Sequence, residues 1–498
     1  MVDEGIYYFL ARPRRFGKSL LVSTLRCLFQ GQRELFEGLW IADAEWDWAQ
    51  HPVMLLDFNR TVHDTPENLA LSLERTLHNT GQQYQVTLHE PLLKGQFGEL
   101  ILALYEATER PVVILIDEYD KPIIDHLGRG EAGLHIAQAN RDLLKQFFGV
   151  LKGGDVTPIL RFVLLTGVSR FSKVSVFSEL NNLEDVTMSQ RYATLLGYTQ
   201  AELETNFAPH LARFAEAQDI DYEELLARME HTYNGYRFSK RPVTVYNPFS
   251  TLRALRERNF GRYWFETGTP TFLIELLREQ QYPLPQLEHF QAHEMLFGTY
   301  NLEDLQPEAL LYQTGYVTIK DVQGPLYTFG YPNQEVKVAF VTQLLYAFAG
   351  PHKRSVGNQV VHLASYLQQE DFTAFFATVQ AIFAKIPYTI NAQRDEAYFH
   401  TVFYLMLAAS SPQADVTLVA EPELLTNRGR IDLAVELTDK AFVMEFKCDQ
   451  SPQVALEQIR TLGYAERYQG SGKRVFLMDL EFSTETRNLE AWDVVGPL

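Results

Sequence analysis

The sequence predicts an α/β protein with a parallel-sheet core and flanking helices, a mainly helical middle region and a C-terminal α/β domain. Near the N-terminus an apolar strand is followed by a Gly-Lys-Ser turn and then by a segment with the apolar spacing of a helix. Further apolar runs end in acidic or polar residues. Near the C-terminus a charged hairpin precedes an amphipathic helix and another strand. Strands that alternate with helical patterns predict parallel sheets. We place the three parts at residues 1–195, 196–350 and 351–498, and the core of the last at about 390–485.

The first candidate site is the loop between the strand at 7–11 and the helix that follows, which reads Arg-Pro-Arg-Arg-Phe-Gly-Lys-Ser over residues 12–19. Such a loop binds phosphate through backbone amides and the helix N-terminus, with lysine on the terminal phosphates and serine on Mg²⁺. The sequence departs from the GxxxxGK[ST] pattern at Arg12, where glycine is expected, so a basic turn is the alternative. We predict ATP contacts by Arg14, Arg15, Phe16, Gly17, Lys18 and Ser19, with Ser19 also binding Mg²⁺.

An acidic motif later in the chain supports nucleotide binding. Residues 112–116 form an uninterrupted apolar run, typical of a buried strand, and Asp117 and Glu118 follow directly. In P-loop ATPases the first acid of such a pair contacts the magnesium shell and the next contacts the attacking water. We predict these roles for Asp117 and Glu118. An acidic pair after a strand is also a common helix cap, but its order after the Gly-Lys-Ser loop favours an ATPase.

Two further apolar runs, at 52–57 and 161–165, complete the pattern of a P-loop core. The second run ends in Thr166, which we place at the sensor position of an ATPase whose catalytic glutamate follows the metal-binding aspartate. Arg170 follows closely and is a further candidate for contact with the nucleotide.

The middle region has the pattern of helices. Thr199 and Glu202 have the spacing of a capping box, which predicts a helix start. Residues 311–320 and 325–329, with glycines nearby, predict strands.

The second candidate site is the charged hairpin near the C-terminus. Alternate residues of a strand point to opposite faces, so Glu445 and Lys447 share one face and hairpin pairing brings Asp432 to the same side. Two carboxylates hold a divalent metal, and a lysine beside the metal-bound water assists attack on a phosphodiester. The alternative is the ordinary solvated face of a half-buried hairpin.

The elements around this hairpin resemble the core of the PD-(D/E)XK nucleases. A helix-like stretch precedes the hairpin, and an amphipathic helix and a strand at 474–480 follow it. The resemblance implies Mg²⁺ or Mn²⁺ at this site and assigns a role to each matching residue. Glu396 is the helix acid, Asp432 and Glu445 are the metal ligands, Lys447 activates the water or stabilises the transition state, and Gln458 is an accessory polar group.

Most of the chain resembles a bacterial and archaeal AAA-ATPase-like family whose loop reads RPRRFGKS and whose members commonly end in a PD-(D/E)XK nuclease domain. Matching segments lie at 116–122, 165–172, 181–183, 233–236, 246–250 and 263–269. The resemblance implies a P-loop NTPase core followed by a helical lid and a winged-helix-like unit. Members of the family begin further upstream with a YVDKT-like motif, so we expect the N-terminus of this chain to be truncated.

The composition favours a cytoplasmic enzyme over a protein that coats nucleic acid. With 44 basic and 63 acidic residues the net charge is −19, which does not fit a broad basic binding surface. Contact with nucleic acid should therefore be local and metal-assisted. Two cysteines are too few for a disulfide framework or a zinc cluster, and no apolar run approaches the length of a membrane span.

We interpret the chain as an ATP-binding protein whose nucleotide state controls a metal-dependent nuclease acting on nucleic acid. Two alternatives stay open. One is a nucleotide-dependent switch that recognises a protein partner through a nuclease-like binding module. The other is a nuclease on an ATPase-shaped scaffold that has lost hydrolysis. The sequence leaves DNA or RNA as substrate and the oligomeric state undecided.

Overall fold

A computed structural model describes residues 1–169, 183–264, 271–280, 282–297, 302, 305–386, 395–410, 419–425, 430–449, 467–468 and 470–497. The chain divides into two compact units. The first comprises Met1–Tyr263, Thr271–Leu273 and Ala292–Tyr327, and the second comprises Trp264–Pro270, Ile274–Gln291 and Thr328–Leu498. Residues of the middle region 196–350 are thus divided between the two units.

The first unit contains a parallel five-stranded sheet in the order β2-β3-β4-β1-β5. Its strands are β1 (Tyr7–Ala11), β2 (Val53–Asp57), β3 (Val112–Asp117), β4 (Leu160–Gly167) and β5 (Glu184–Asp185). The residues of β1 and β3 are buried throughout, as expected for parallel strands covered by helices on both faces. Both of these strands neighbour β4. The carboxyl ends of all three therefore meet at one edge of the sheet, where α/β proteins bind ligands.

Helices connect these strands because parallel strands need crossover connections. They are α1 (Lys18–Phe29), α2 (Trp40–Asp43), α3 (Pro66–Gln83), α4 (Leu93–Thr108), α5 (Lys121–Ile124) and α6 (Gly130–Phe148). In α1 the buried Val22, Leu25 and Phe29 have the spacing of one helix face. They join a core cluster with Leu115 of β3 and Leu164 of β4. This packing fixes the N-terminus of α1 against the sheet.

The middle of the chain is mainly helical, as predicted. Its helices are α7 (Gln200–Gln218), α8 (Tyr222–Tyr233), α9 (Pro248–Glu257), α10 (Thr271–Glu279) and α11 (Pro307–Thr314), and its strands are β6 (Phe290–His293), β7 (Thr318–Gln323) and β8 (Leu326–Gly330), in the sheet order β6-β8-β7. The predicted capping box is confirmed at α7. Thr199 accepts a hydrogen bond from the backbone N–H of Glu202, and the Glu202 carboxylate accepts one from the backbone N–H of Thr199.

The predicted strand over residues 311–320 is wrong in its first half. Residues up to Thr314 belong to α11, and β7 begins only at Thr318. Pro307 lies in the first turn of α11, and Gly315 ends the helix with a φ of 86°. Proline at the start and glycine past the end are helix boundary signals. They outweigh a short apolar run, which fits a buried helix as well as a strand.

The second unit contains a five-stranded mixed sheet in the order β13-β12-β11-β10-β9. Its strands are β9 (Val419–Leu425), β10 (Arg430–Glu436), β11 (Lys440–Cys448), β12 (Arg474–Ser483) and β13 (Asn488–Val495), and its helices are α12 (Gln334–Ala349), α13 (Lys353–Val360), α14 (Leu363–Gln369), α15 (Phe372–Phe383) and α16 (Glu396–Ser410). Strands β10 and β11 form the predicted antiparallel hairpin, and β12 runs parallel to β11.

Helix α16 packs on one face of this sheet through aromatic rings. Phe399 stacks on Phe482 with ring centroids 4.7 Å apart, and Phe403 meets Phe446 edge-on at 5.2 Å. Because successive residues of a strand point to opposite faces, the neighbours of Phe446 in β11 face away from these rings.

Across the described ranges, no helix is both long enough and apolar enough to span a membrane.

Candidate functional sites

The Gly-Lys-Ser turn lies at the carboxyl end of β1, where α1 begins. Gly17 has φ 87° and ψ 20°, a left-handed conformation that glycine adopts without a steric penalty. The buried Lys18 opens the helix, and its Nζ donates to the carbonyl oxygens of Arg12 at 3.1 Å and Pro13 at 3.3 Å. Ser19 is exposed at the same helix end. A helix N-terminus, an ammonium group and a hydroxyl together suit a polyphosphate with its cation.

The predicted acidic pair lies beside this loop. Glu118 forms an ion pair with Lys18, with Oε1 and Nζ 3.2 Å apart. Asp117 ends β3 and accepts a hydrogen bond from Thr166 Oγ1 at 2.6 Å. Glu118 has a φ of 55°, which is costly for a residue other than glycine and is typical of functional sites. The structure thus brings four of the predicted residues to one edge of the sheet: Lys18, Asp117, Glu118 and Thr166.

Asp120, in the same acidic motif, is a buried residue that the sequence prediction omitted. Its Oδ2 accepts hydrogen bonds from the backbone of Val168 at 3.0 Å and from the backbone and hydroxyl of Ser169 at 2.6 and 2.7 Å. Burial and the charge of Glu118 together raise the pKa of Asp120 to about 6, and the hydrogen bonds from Ser169 oppose this shift. Asp120 therefore fixes the turn that follows Thr166. Arg170, predicted to contact nucleotide, lies outside the described residues.

Arg12 takes the place of a loop glycine because its side chain turns into the protein. It is 1% exposed, and its guanidinium donates to the carbonyl oxygens of Ala11, Thr187 and Tyr192. The same group lies 4.1 Å from the ring centroid of Phe238. Desolvation lowers the pKa of Arg12 to about 10, so the group stays a cation at neutral pH. The buried side chain of Arg12 thus stabilises the loop from inside the protein.

The loop also contacts aromatic residues of the middle region. Phe16 is buried and meets the rings of Tyr236 and Phe238 edge-on at 4.8 and 5.2 Å. Arg15 is exposed, with its guanidinium 4.5 Å above the ring of Phe249. Because its ring is buried, Phe16 would contact a nucleotide through its backbone. Arg14 is partly exposed at the loop surface.

The second site lies on the hairpin of β10 and β11. The pairing of Leu433 with Met444 sets the register, and Asp432 Oδ2 accepts a hydrogen bond from the backbone N–H of Phe446 at 2.9 Å. Glu445 is fully buried, and its Oε2 lies 3.9 Å from Lys447 Nζ. The hairpin therefore places the predicted carboxylates and lysine together at its open end.

The electrostatics of this site are dominated by crowded carboxylates. Burial and the neighbouring Asp432 together raise the pKa of Glu445 to about 9, and Lys447 opposes the shift. Glu396, exposed at the start of α16, also has a raised pKa because of desolvation, with Lys447 opposing and Asp432 adding to the shift. Glu396 is thus within electrostatic range of the hairpin site. Gln458 lies outside the described residues.

The donor set at the hairpin suits a divalent cation. Mg²⁺ is commonly held by one or two carboxylates, with water filling the remaining positions, and Asp432 and Glu445 supply two. No group of three or more His, Cys, Asp or Glu side chains within the described ranges is arranged to hold a metal ion. A cation at this site would therefore rely on water for most of its ligands.

Asp479 is a third carboxyl group here that the sequence prediction omitted. It lies on β12 in register with Glu445 and is fully buried. Burial raises the pKa of Asp479 to about 7, and the charge of Lys447 opposes this shift. A lone acid within the apolar run of β12 is the sequence signal that could have identified it.

Comparison with known proteins gives matches at both ends of the chain. The family model described as "Predicted AAA-ATPase" matches residues 1–177, and the PD-(D/E)XK nuclease superfamily model matches residues 394–492. A relative from Azotobacter chroococcum mcd 1, described as an uncharacterized protein in the vnfD 5′ region, is 39% identical over 500 residues, which cover 98% of this chain and 92% of the relative. The two candidate sites fall within the two matched segments.

Arg12→Ala should destabilise the first unit by about 2–4 kcal/mol, since several buried carbonyl oxygens would lose their donor. The expected result is a clear fall in the melting temperature measured by calorimetry, without added nucleotide. Arg14→Ala, which removes a partly exposed arginine from the same loop, is the matched control and should melt close to the parent. Equal melting of the two variants would contradict a supporting role for Arg12.

Proposed function

Because this chain belongs to the family of predicted AAA-ATPases that carry a C-terminal PD-(D/E)XK nuclease domain, we propose that it binds ATP with Mg²⁺ and cleaves nucleic acid with a divalent metal. The observation that carries the proposal is the meeting of Asp432, Glu445 and Lys447 at the open end of one hairpin. The Lys18 loop beside Asp117 and Glu118 supports the nucleotide half.

In the nucleotide site, Lys18 would exchange its present acceptors for phosphate oxygens. Its ammonium now bonds two loop carbonyls and Glu118, and charge-assisted bonds to phosphate are stronger than bonds to neutral carbonyls. Glu118 would then be free to orient the attacking water. Ser19 and Asp117 would hold Mg²⁺, which would neutralise phosphate charge, while Thr166 fixes the Asp117 carboxylate.

In the nuclease site, Asp432 and Glu445 would hold the cation, and a bound cation supplies hydroxide at neutral pH by lowering the pKa of its water. The bond from Phe446 N–H orients the Asp432 carboxylate. Lys447 would stabilise the charge that develops on the phosphate in the transition state. Glu396, within electrostatic range of Lys447, would accept or relay the proton that the water loses.

The acidic composition shapes the expected contact with substrate. At a net charge of −19 the protein as a whole repels a polyanion, so we propose that nucleic acid is held locally through the cation and Lys447. We assign the protein to the cytoplasm, in line with its two free cysteines. DNA and RNA, protein partners and an oligomer all stay compatible with this proposal.

A second candidate function is a nucleotide-dependent switch whose nuclease-like domain binds a partner. The contacts of Phe16 and Arg15 with aromatic residues of the middle region favour it. A nucleotide that moves this loop would disturb those ring contacts and so alter the region beyond. Binding of ATP without cleavage of any nucleic acid would support this function over the first.

Lys18→Ala should weaken binding of ATP with Mg²⁺ by about 10- to 100-fold, the loss expected for a charge-assisted hydrogen bond. Titration calorimetry measures the affinity directly. Lys121→Ala, which removes the lysine paired with Asp125 just after the acidic motif, is the control and should bind like the parent. If Lys18→Ala binds ATP as tightly as the parent, the loop is not the nucleotide site.

Asp432→Asn, Glu445→Gln and Lys447→Met should each lower cleavage by about 100-fold or more, since each removes a charge that acts in the transition state. The assay uses labelled single- and double-stranded DNA and RNA with Mg²⁺, Mn²⁺ or chelator, with and without ATP.

Glu436→Gln is the control for these variants, because Glu436 lies on the same strand as Asp432 and pairs instead with Lys473. It should cleave like the parent. Cleavage that survives chelator, or that all three site variants retain, would show that the hairpin is not the active site.

A further inference from the structure

We propose that Asp479 and Glu445 together bind a divalent cation at the hairpin site, on the side of Glu445 away from Asp432. The inference rests on the proposed nuclease function for the identity of the site. It assigns to this residue the binding of a divalent cation, with water completing the coordination.

The first support is the position of Asp479 in the sheet. Strand β11 lies between β10 and β12, and Asp479 of β12 is in parallel register with Glu445. In-register residues on neighbouring parallel strands, about 4.8 Å apart, point to the same face. Asp432 lies on the opposite side of Glu445 and bonds back to β11. The three carboxyl groups therefore come from three adjacent strands at one level of the sheet.

The second support is the burial of the side chain without partners. Asp479 is 0% exposed, and neither Oδ1 nor Oδ2 has a hydrogen-bond partner of normal geometry among the described residues; the N–H of the adjacent Leu480 gives only a weak interaction that favours the ionised form. Burying a carboxyl group in this way is costly, and buried polar groups in folded proteins are almost always satisfied. A cation that binds this carboxylate would remove the cost.

The third support is the balance of charge around Lys447. This ammonium acts electrostatically on Glu396, Glu445 and Asp479, and Asp432 faces the same site. This one ammonium does not allow all of these acids to ionise together, and Glu481 and Asp493 lie close enough to Asp479 to oppose its ionisation further. A bound divalent ion would stabilise the ionised carboxylates. If Asp479 only filled space in the core, an apolar side chain would be more stable at this position.

The test measures Mn²⁺ binding to the full chain without nucleotide, by calorimetry and by the paramagnetic resonance signal of free Mn²⁺. Asp479→Asn preserves the shape of the side chain and removes its charge. We expect this variant to bind Mn²⁺ about tenfold more weakly or worse, and the rise in melting temperature caused by Mn²⁺ should shrink. Without metal the variant should melt at or above the parent temperature, because a buried carboxyl group is gone.

Asp493→Asn is the matched control. Asp493 pairs with Asp479 across β12 and β13 but is exposed and accepts a bond from Val494 N–H, so the same change of charge there should lower Mn²⁺ affinity far less than Asp479→Asn does. Equal Mn²⁺ affinity of parent and Asp479→Asn would overturn the inference, and so would an equal loss in Asp493→Asn. If Asp479→Asn melts below the parent without metal, Asp479→Ser is measured in its place, with the same loss of Mn²⁺ affinity expected.

Binding and cleavage separate this inference from the proposed function. Loss of Mn²⁺ affinity in Asp479→Asn, in a parent that cleaves no nucleic acid, would support the inference and count against nuclease activity. If the parent cleaves nucleic acid and Asp479→Asn binds Mn²⁺ as tightly as the parent does, the result would support nuclease activity and overturn the inference. A parent that binds no Mn²⁺ would overturn the inference.

Discussion

Each candidate site of this protein is organised around one lysine with little exposure to solvent and a glutamate beside it. Lys18 and Lys447 are 3% and 13% exposed in their side chains, and each faces a glutamate, at 3.2 and 3.9 Å. An ammonium group with few water contacts needs polar partners, so these neighbours fix the position of each lysine before any ligand binds. Phosphate or a cation that enters either site must exchange with these internal pairs. Binding of the proposed ligands would therefore be coupled to local structure in each unit.

The loop at residues 12–19 shows how a sequence can depart from a familiar pattern at one position. A glycine at that position leaves the loop surface open, and Arg12 also leaves it open because its side chain is directed into the protein, toward Thr187, Tyr192 and Phe238. The arginine thus links the loop to the segment after β5. The loop also packs on the middle region through Phe16. These contacts stabilise the loop. They also mean that the loop cannot move without disturbing its neighbours.

Local patterns were sufficient for the elements that carry the predicted residues. The Gly-Lys-Ser turn and the acidic end of β3 lie next to strands with strong apolar runs, and alternation along β11 predicted the shared face of Glu445 and Lys447. The sequence analysis failed where the role of a residue depends on contacts with residues distant in sequence, or where one segment fits two secondary-structure patterns. The role of Arg12 depends on carbonyl groups 175 and 180 residues away. The position of Asp479 beside the hairpin site is apparent only from its register with Glu445. The strand predicted over 311–320 overlooked the helix boundaries at Pro307 and Gly315.

The charge of the protein gives a physical reason for the proposed metal dependence beyond the activation of water. Without a cation the hairpin offers a polyanionic substrate only Lys447 among several acids, and the net charge of −19 repels the substrate over the range that salt leaves unscreened. Lys447 alone cannot reverse that field. In the proposed mechanism a divalent cation makes the local potential positive. The ion that activates the water would then also attract the phosphodiester. The acidic character of the protein would then favour cleavage only where metal is bound, and it would limit unproductive contact with nucleic acid elsewhere on the surface.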